Sequence, residues 1–113
     1  MDKFSMQKYV AEEILKYTLA PERSPCRYIA PDDKGFYDEP DLDEISVWME
    51  QVLPALAKDT EDVKIWVQEN RFLLCCYTYP EIIEVEDGDL VKAFKKMIME
   101  YSRLKETYKG QDT

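Results

Sequence analysis

The sequence predicts an α+β domain in which a short antiparallel sheet is covered by helices. Residues 62–68 alternate apolar and polar side chains, which is typical of a strand with one solvated face. Residues 72–79 are apolar on both faces, and such a strand must be covered on both sides. We therefore predict a central hairpin at about 62–79, covered by three helices at about 5–18, 42–53 and 89–108.

The composition indicates one folded domain spanning residues 1–113. A hydrophobic content of 45% argues against disorder, and a chain of 113 residues is long enough to bury a core. The formal charge of −9 argues against direct nucleic-acid binding, which requires Lys and Arg to neutralise phosphates. Because the chain has neither a signal-like N-terminus nor a long apolar run, we expect a soluble cytoplasmic protein without a membrane partner.

The first half of the chain contains one amphipathic helix followed by a proline-rich segment. Met6, Val10, Ile14 and Tyr17 form one apolar stripe on the first helix. Four prolines between residues 20 and 40 then disfavour regular structure. Within that segment, residues 26–30 are expected to add a short strand at a sheet edge.

The second helix is expected to begin at a capping box formed by Asp41 and Glu44. Its apolar side consists of Ile45, Trp48, Met49, Val52 and Leu53. Pro54 should end or kink this helix near Leu53, and a short turn should carry Leu56 into the first hairpin strand.

After the hairpin, residues 81–86 are interpreted as a third strand, although an irregular lead-in is the alternative. Asp89 is expected to cap the last helix. The apolar stripe of this helix consists of Leu90, Phe94, Met97, Ile98, Tyr101, Leu104 and Tyr108. Residues 89–113 carry a net charge of +2, so the remaining −11 lies on residues 1–88.

The last helix carries more apolar surface than a short hairpin is expected to cover. Val91, Tyr101, Leu104 and Tyr108 are the candidates for an exposed patch, which favours a homodimer through the helix at 89–108. Its basic residues could meet the acidic segment of a second copy; they are Lys92, Lys95, Lys96, Arg103 and Lys105. The alternative is that the helix packs entirely within the monomer.

An acidic segment between residues 32 and 44 contains seven acids and one lysine. Helix capping explains part of this charge, whereas the remainder is not expected to be needed for folding. We expect the segment from Tyr28 to Glu44 to be exposed and to bind a partner. The candidate partner-binding residues are Tyr28, Asp32, Asp33, Phe36, Tyr37, Asp38, Glu39, Asp41 and Asp43. The alternative is an acidic surface that serves only solubility.

The sequence contains no recognisable catalytic or metal motif. Without histidine, the Ser-His and Cys-His nucleophilic pairs are excluded. A carboxylate dyad within Asp32, Asp33, Asp38 and Glu39 would need a pocket that holds it. The segment 32–35 also lacks the ligand ladder of an EF-hand. We therefore predict no enzyme activity, no catalytic residue, no metal site and no cofactor.

Two further patterns in the sequence could form functional sites. Cys75 and Cys76 point to opposite faces of a strand, so they are interpreted as small buried hydrophobes in a reducing compartment. Trp66, Tyr77 and Tyr79 could line a pocket for a flat ligand, but core positions are the favoured interpretation.

The order of elements resembles the small phage-encoded proteins grouped as the phage ABA-sandwich domain. The matching pieces are residues 10–15 (Val-Ala-Glu-Glu-Ile-Leu), residues 43–52 (Asp-Glu-Ile-Ser-Val-Trp-Met-Glu-Gln-Val), the strand around Trp66 and the closing helix from Leu90. The resemblance implies a phage origin and a layered α+β fold, but it implies no activity.

Small size, an acidic surface and the lack of catalytic motifs favour a phage or mobile-element accessory protein. We expect it to act in the host cytoplasm as an anti-CRISPR-like inhibitor that occupies the basic surface of a host nucleic-acid-handling defence enzyme. The alternative is a protein that sequesters a small nucleotide signal. That function would require a basic pocket built from Arg23, Arg27, Arg71 or the lysines of the last helix.

Overall fold

The computed structural model describes residues 2–31, 35–78 and 81–111, and it has two compact units that meet in sequence at residues 59 and 60. The described residues form an α+β structure with three helices and two small antiparallel sheets. This confirms the predicted fold class. The single domain and the covering of one hairpin by all three helices stay predictions.

The first helix, α1, comprises residues 3–14, in which the regular turns Lys3–Tyr9 continue into a wider turn at Val10–Ile14. The Asp2 carboxylate caps it by accepting a hydrogen bond of 2.7 Å from the Ser5 N–H. Met6, Val10 and Ile14 are buried, as the stripe predicted.

The predicted end of α1 at residue 18 is wrong. Lys16 adopts the left-handed backbone conformation with φ of 61°, which stops the helix. Tyr17 therefore leaves the helical stripe. Its N–H donates to the carbonyl of Ala11 at 2.8 Å, and the residue lies directly before the first strand.

The second helix, α2, comprises residues 45–59 and is built from Ile45–Val47, a wide turn at Trp48–Val52 and Leu53–Asp59. The predicted range of 42–53 is therefore wrong at both ends. The Leu53 N–H bonds to the carbonyl of Trp48, five residues back. This shift of hydrogen-bond register comes immediately before Pro54, which has no N–H to donate, and the chain passes the proline without ending the helix.

The buried side of α2 also differs from the predicted one. Trp48, Val52 and Leu56 are fully buried, whereas Ile45 and Met49 are 41% and 48% exposed. Because the helix continues past Pro54, Leu56 belongs to its buried side and not to a turn.

The first sheet has the order β1–β2–β3 and consists of Thr18–Leu19, Tyr28–Ile29 and Phe36–Tyr37. Both pairs of strands are antiparallel. The predicted strand within residues 26–30 exists, but it is the middle strand of this sheet and not an edge. It occupies the middle because short strands before and after it pair with its two sides.

The second unit contains an antiparallel meander, β4–β5–β6, formed by Asp62–Gln68, Arg71–Thr78 and Glu81–Asp87. The hairpin and the third strand are thus confirmed over the described residues, while Tyr79 lies outside them. In the register Val63 pairs with Cys76 and Cys76 with Ile83, so these residues share one face.

The last helix, α3, spans Leu90–Gln111 and packs against β5 and β6. The predicted cap is confirmed, because the Asp89 carboxylate accepts a hydrogen bond of 3.1 Å from the Lys92 N–H. The core of this unit is formed by buried residues of the sheet and of α3: Leu74, Cys76, Ile83, Ala93, Phe94, Met97, Ile98 and Tyr101.

Candidate protein-binding surface

Three tyrosines from separate parts of the first unit form one aromatic cluster. The ring centroids of Tyr17 and Tyr37 are 5.4 Å apart, and the two rings are nearly parallel, with an interplanar angle of 16°. Tyr17 also packs against Tyr28 at 6.2 Å. The stack holds Tyr37 in place while 42% of the residue stays exposed. Because tyrosine is enriched in protein–protein interfaces, Tyr37 is a candidate contact residue.

Gly35 lies directly before β3, the strand that carries Tyr37. Gly35 has φ of 135°, a conformation that other residues rarely adopt. Its carbonyl accepts a hydrogen bond of 3.1 Å from the Ala30 N–H, next to the pairing of Ile29 with Phe36. Gly35 thereby fixes the path of β3 and the position of Tyr37.

Tyr28 is not an exposed binding residue, so this part of the predicted surface is wrong. It is fully buried in the middle strand, where its hydroxyl donates to the Glu12 carboxylate of α1 at 3.2 Å. Burial raises the pKa of the Tyr28 hydroxyl, and the charge of Glu12 raises it further. Tyr28 therefore supports the cluster from below.

Arg27 organises the acids that follow Tyr37. Its guanidinium donates to the Glu39 carboxylate at 2.7 Å and lies 5.8 Å from the centroid of the Tyr28 ring. The Arg27 N–H also reaches the Asp38 carboxylate at 3.4 Å. Asp38 and Glu39 thus have partners within the first unit, and Asp38 is exposed. The expectation that folding does not need these acids stays a prediction.

Asp41 and Asp43 form the turn before α2. The Asp41 carboxylate accepts a hydrogen bond of 3.1 Å from the Asp43 N–H, and the Asp41 carbonyl accepts one of 3.2 Å from the Glu44 N–H. The predicted capping box is wrong, because α2 begins at Ile45 and its cap position is occupied by Glu44, which makes no capping bond through its side chain. Both aspartates are exposed.

The turn is anchored from beneath by two buried residues. Leu42 is buried, so the predicted exposure of the whole segment is wrong here as well. Its carbonyl accepts a hydrogen bond of 2.9 Å from the indole N–H of buried Trp48. This bond ties the segment between β3 and α2 to the helix that follows it.

The candidate surface, as the structure places it, consists of Tyr37, Asp38, Glu39, Asp41 and Asp43. Asp32 and Asp33 lie outside the described residues, as does the side chain of Phe36. Sequence reasoning missed Tyr17 and Glu12, because it assigned both to the first helix alone. The one available signal was that Tyr17 lies just before the proline-rich segment and that Tyr28 and Tyr37 lie within it.

The favoured core position is wrong for Trp66, which is 42% exposed, and the alternative aromatic pocket is not formed by its two described members, Trp66 and Tyr77. Trp66 pairs with Leu73, and Tyr77 lies four residues further along the same strand. Four strand residues span roughly 13 Å, so the two rings do not face each other across one pocket. Tyr77 instead lies under the Lys64 ammonium group, which is 5.4 Å from its ring centroid.

Both cysteines of β5 are buried, as predicted, and neither is part of a disulfide. Burial raises the pKa of the Cys75 thiol, and the neighbouring Glu84 carboxylate adds to that effect. Burial likewise raises the pKa of Cys76. A raised thiol pKa reduces the nucleophilic thiolate fraction, which fits a packing role.

The residues that the structure describes contain neither a metal-binding cluster nor a membrane-spanning helix. Within residues 2–31, 35–78 and 81–111, no group of three or more Cys, Asp or Glu side chains is arranged to hold a metal ion. None of the helices in these ranges is both long and apolar enough to cross a membrane. Comparisons with protein-family models, with curated proteins and with solved structures found no match.

Proposed function

We propose that this protein is a non-enzymatic acidic module that binds a basic surface of another protein. We further propose that it is a phage or mobile-element accessory protein, and that its partner is a host enzyme that handles nucleic acid in defence. By occupying the surface that receives the phosphate backbone, the module would inhibit that enzyme in an anti-CRISPR-like manner. The resemblance to the phage ABA-sandwich domain supports the proposed origin.

The observation that carries the proposal is the presentation of Tyr37. The ring is stacked on Tyr17, and 42% of the residue is exposed. Asp38 and Glu39 follow it directly, and the nearby charge of Arg27 is compensated by Glu39. A rigid aromatic residue with acids beside it is suited to a partner of opposite charge.

The charge of the first unit supports the same partner. Residues 1–59 contain thirteen acidic and seven basic side chains, a net charge of −6. A field of this sign attracts a basic protein surface and repels nucleic acid. Association should therefore be fast at low salt and slower at high salt.

The alternative is the sequestering of a nucleotide signal, and the ion pairs of the candidate basic residues argue against it. Arg27 is paired with Glu39, and Arg71 donates to the Glu86 carboxylate at 2.5 Å. Lys96 is likewise paired with Asp87 at 2.8 Å. A phosphate approaching any of these cations would meet a carboxylate at the same place.

The test compares two aromatic residues that are equally exposed. Tyr37 and Trp66 are both 42% exposed, but Trp66 lies in the other unit. The immobilised protein is used to capture a partner from a host lysate at low and high salt, and the partner is then purified. We expect Tyr37→Ala to weaken binding of that partner about tenfold, as for an interface anchor, and Trp66→Ala to leave it unchanged.

A charge-matched pair of variants tests the electrostatic part. Asp38→Lys should weaken binding more than Glu69→Lys, since both change the net charge equally but only Asp38 adjoins Tyr37. If Asp38→Lys and Glu69→Lys weaken binding equally, the acidic segment contributes only general surface charge and is not a specific binding site. Separately, nucleotides are titrated by calorimetry and by intrinsic tryptophan fluorescence, to which both exposed Trp66 and buried Trp48 contribute. Tight nucleotide binding would replace the proposed function with the alternative.

A further inference from the structure

A groove in the second unit lies between the outer strand β6 and the C-terminal half of α3. Its volume is about 330 Å³. The strand contributes Ile82, Ile83 and Glu84, and the helix contributes Glu100, Arg103 and Leu104. The groove thus combines apolar residues with carboxylates from both the strand and the helix.

The strand that borders this groove is the last of its sheet. The order β4–β5–β6 leaves the outer side of β6 without a neighbouring strand among the described residues. At one end, the Lys96 ammonium group donates to the Glu86 carbonyl at 3.2 Å and pairs with the Asp87 carboxylate at 2.8 Å. The Glu86 carbonyl therefore points away from β5.

The orientation of that carbonyl defines which backbone groups face outward. Peptide groups two residues apart in a strand have the same orientation, so those of Ile82 and Glu84 point outward as well. These residues also line the groove. An exposed row of N–H and C=O groups is a template for one further strand.

Charge decides which strand fits this edge. Strand β6 contains four acids, Glu81, Glu84, Glu86 and Asp87, and no basic residue. A second copy of β6 would place these acids against each other, which is unfavourable. On the helix, Arg103 is ion-paired with Glu100, so its charge does not offset Glu84.

We propose that this edge and groove bind an extended basic peptide by strand addition. Lysine or arginine side chains of the peptide extend over the face of β6 that carries Glu84 and Ile82, which is 57% exposed. The alternate apolar side chains extend over the opposite face, toward Leu104 of α3. This surface belongs to the second unit and does not involve Tyr37. Its test is therefore independent of the function proposed above.

The experiment uses a dye-labelled octapeptide of alternating lysine and valine, with fluorescence anisotropy as the readout. We expect saturable binding to the full chain that weakens as salt is raised. A glutamate–valine octapeptide should not bind. N-methyl groups at alternate residues of the lysine–valine peptide leave its charge unchanged but remove the backbone N–H groups that would donate to β6. We therefore expect the methylated peptide to bind roughly tenfold more weakly. Equal binding of the methylated peptide would overturn strand addition.

Two matched pairs of variants locate the site. Ile82→Pro removes an outward N–H of β6, whereas Val67→Pro alters the opposite edge strand at a residue that is also strongly exposed. Glu84→Lys and Glu69→Lys make the same charge change beside the groove and away from it. We expect the first member of each pair to weaken binding about fivefold or more, and the second to have little effect.

Circular dichroism checks that each variant is folded. If Ile82→Pro does not fold, the Glu84→Lys and Glu69→Lys pair and the methylated peptide still decide the question. Equal loss in both members of the charge pair, or no binding of the lysine–valine peptide at all, would overturn the proposal.

Discussion

Tyr28 is the residue whose role differs most from the expectation. It lies in the middle strand of the first sheet, with its ring against Tyr17 and its hydroxyl on Glu12. The exposed member of the cluster is Tyr37, its cross-strand partner. Two tyrosines that look equivalent in sequence are thus divided into a buried support and an exposed contact.

The hydrogen bond from Tyr28 to Glu12 predicts that the Tyr28 hydroxyl contributes to the free energy of unfolding. Tyr28→Phe removes the hydroxyl that donates to Glu12, and we expect a loss of about 1 to 2 kcal/mol in the free energy of unfolding, because the bond is partly buried and its acceptor is charged. Tyr37→Phe is the control and should change it by less than about 0.5 kcal/mol. Urea denaturation measures both. A Tyr28→Phe variant as stable as the native protein would contradict the assigned hydrogen bond.

The contacts of Asp87 predict how the stability of the fold depends on pH. A hydrogen bond from Lys96, together with one from the Asp89 N–H, lowers the pKa of Asp87 from its ordinary value of 3.8. A carboxyl group whose pKa is lower in the folded state stabilises the fold above its unfolded pKa, and this contribution is lost as the pH falls through the folded pKa. Asp87→Asn and Lys96→Gln should therefore lower stability at neutral pH and converge with the native protein in acid.

Thermal unfolding between neutral pH and about pH 2 tests this expectation. Lys58→Gln is the control, since it removes a lysine from the first unit. If the difference between Asp87→Asn and the native protein were the same at every pH, the stabilising role of the ionised carboxylate would be wrong.

At the scale of elements, α3 has a side-chain cap at its start and α2 does not. The first N–H groups of a helix lack partners within the helix, and a short polar side chain at the cap position satisfies one of them. Asp89 does this for α3. Glu44 occupies the cap position of α2 without making such a bond, while Asp41 is used in the preceding turn.

The two caps can be compared directly by alanine substitution. We expect Asp89→Ala to lower the free energy of unfolding by about 1 kcal/mol. Glu44→Ala should have little effect, since no capping bond is lost. Urea denaturation of the two variants measures the difference. A loss at Glu44 as large as that at Asp89 would mean that helix-dipole charge, and not the hydrogen bond, dominates at both sites.

At the scale of the whole molecule, the state of assembly is still a prediction. The apolar surface expected on α3 is smaller than the sequence suggested, because Tyr101 is buried and Val91 and Leu104 are half-buried. Met99, which is 41% exposed, was not part of the expected patch. The side chain of Tyr108 lies outside the described residues.

Light scattering at two protein concentrations tests the homodimer. A dimer through α3 should show a mass that rises with concentration, and Leu104→Glu should reduce it to the monomer because a buried charge at the interface is costly. Glu106→Gln serves as the control on the same helix. A monomer mass at both concentrations, with Leu104→Glu folded, would show that the helix packs within one chain.

Much of the second unit was predictable from the sequence. Its strands and its helix are long and strongly periodic, so the alternation in residues 62–68 and the stripe from Leu90 onward indicate their structure locally. The Asp89 cap was predictable for the same reason, since a cap acts within three residues of the helix it begins.

The first unit was predictable only in part, because its short elements are defined by partners far away in the chain. Strands of two residues carry no periodic pattern, so the middle position of Tyr28–Ile29 depends on its pairing with Thr18–Leu19 and Phe36–Tyr37. The continuation of α2 through Pro54 likewise follows from a wide turn and from the burial of Leu56.

The sequence by itself determined the α+β class, the presence of the β4–β5 hairpin and of three helices, and the acidic charge of this protein. Each of these depends on neighbouring residues or on a sum over the chain. Only the tertiary structure decided that Tyr17, Tyr28 and Tyr37 meet, that Arg27 holds Glu39, and which tyrosine stays exposed. Such contacts join residues ten or more positions apart, and their free energy comes from the packing of elements and not from local preference.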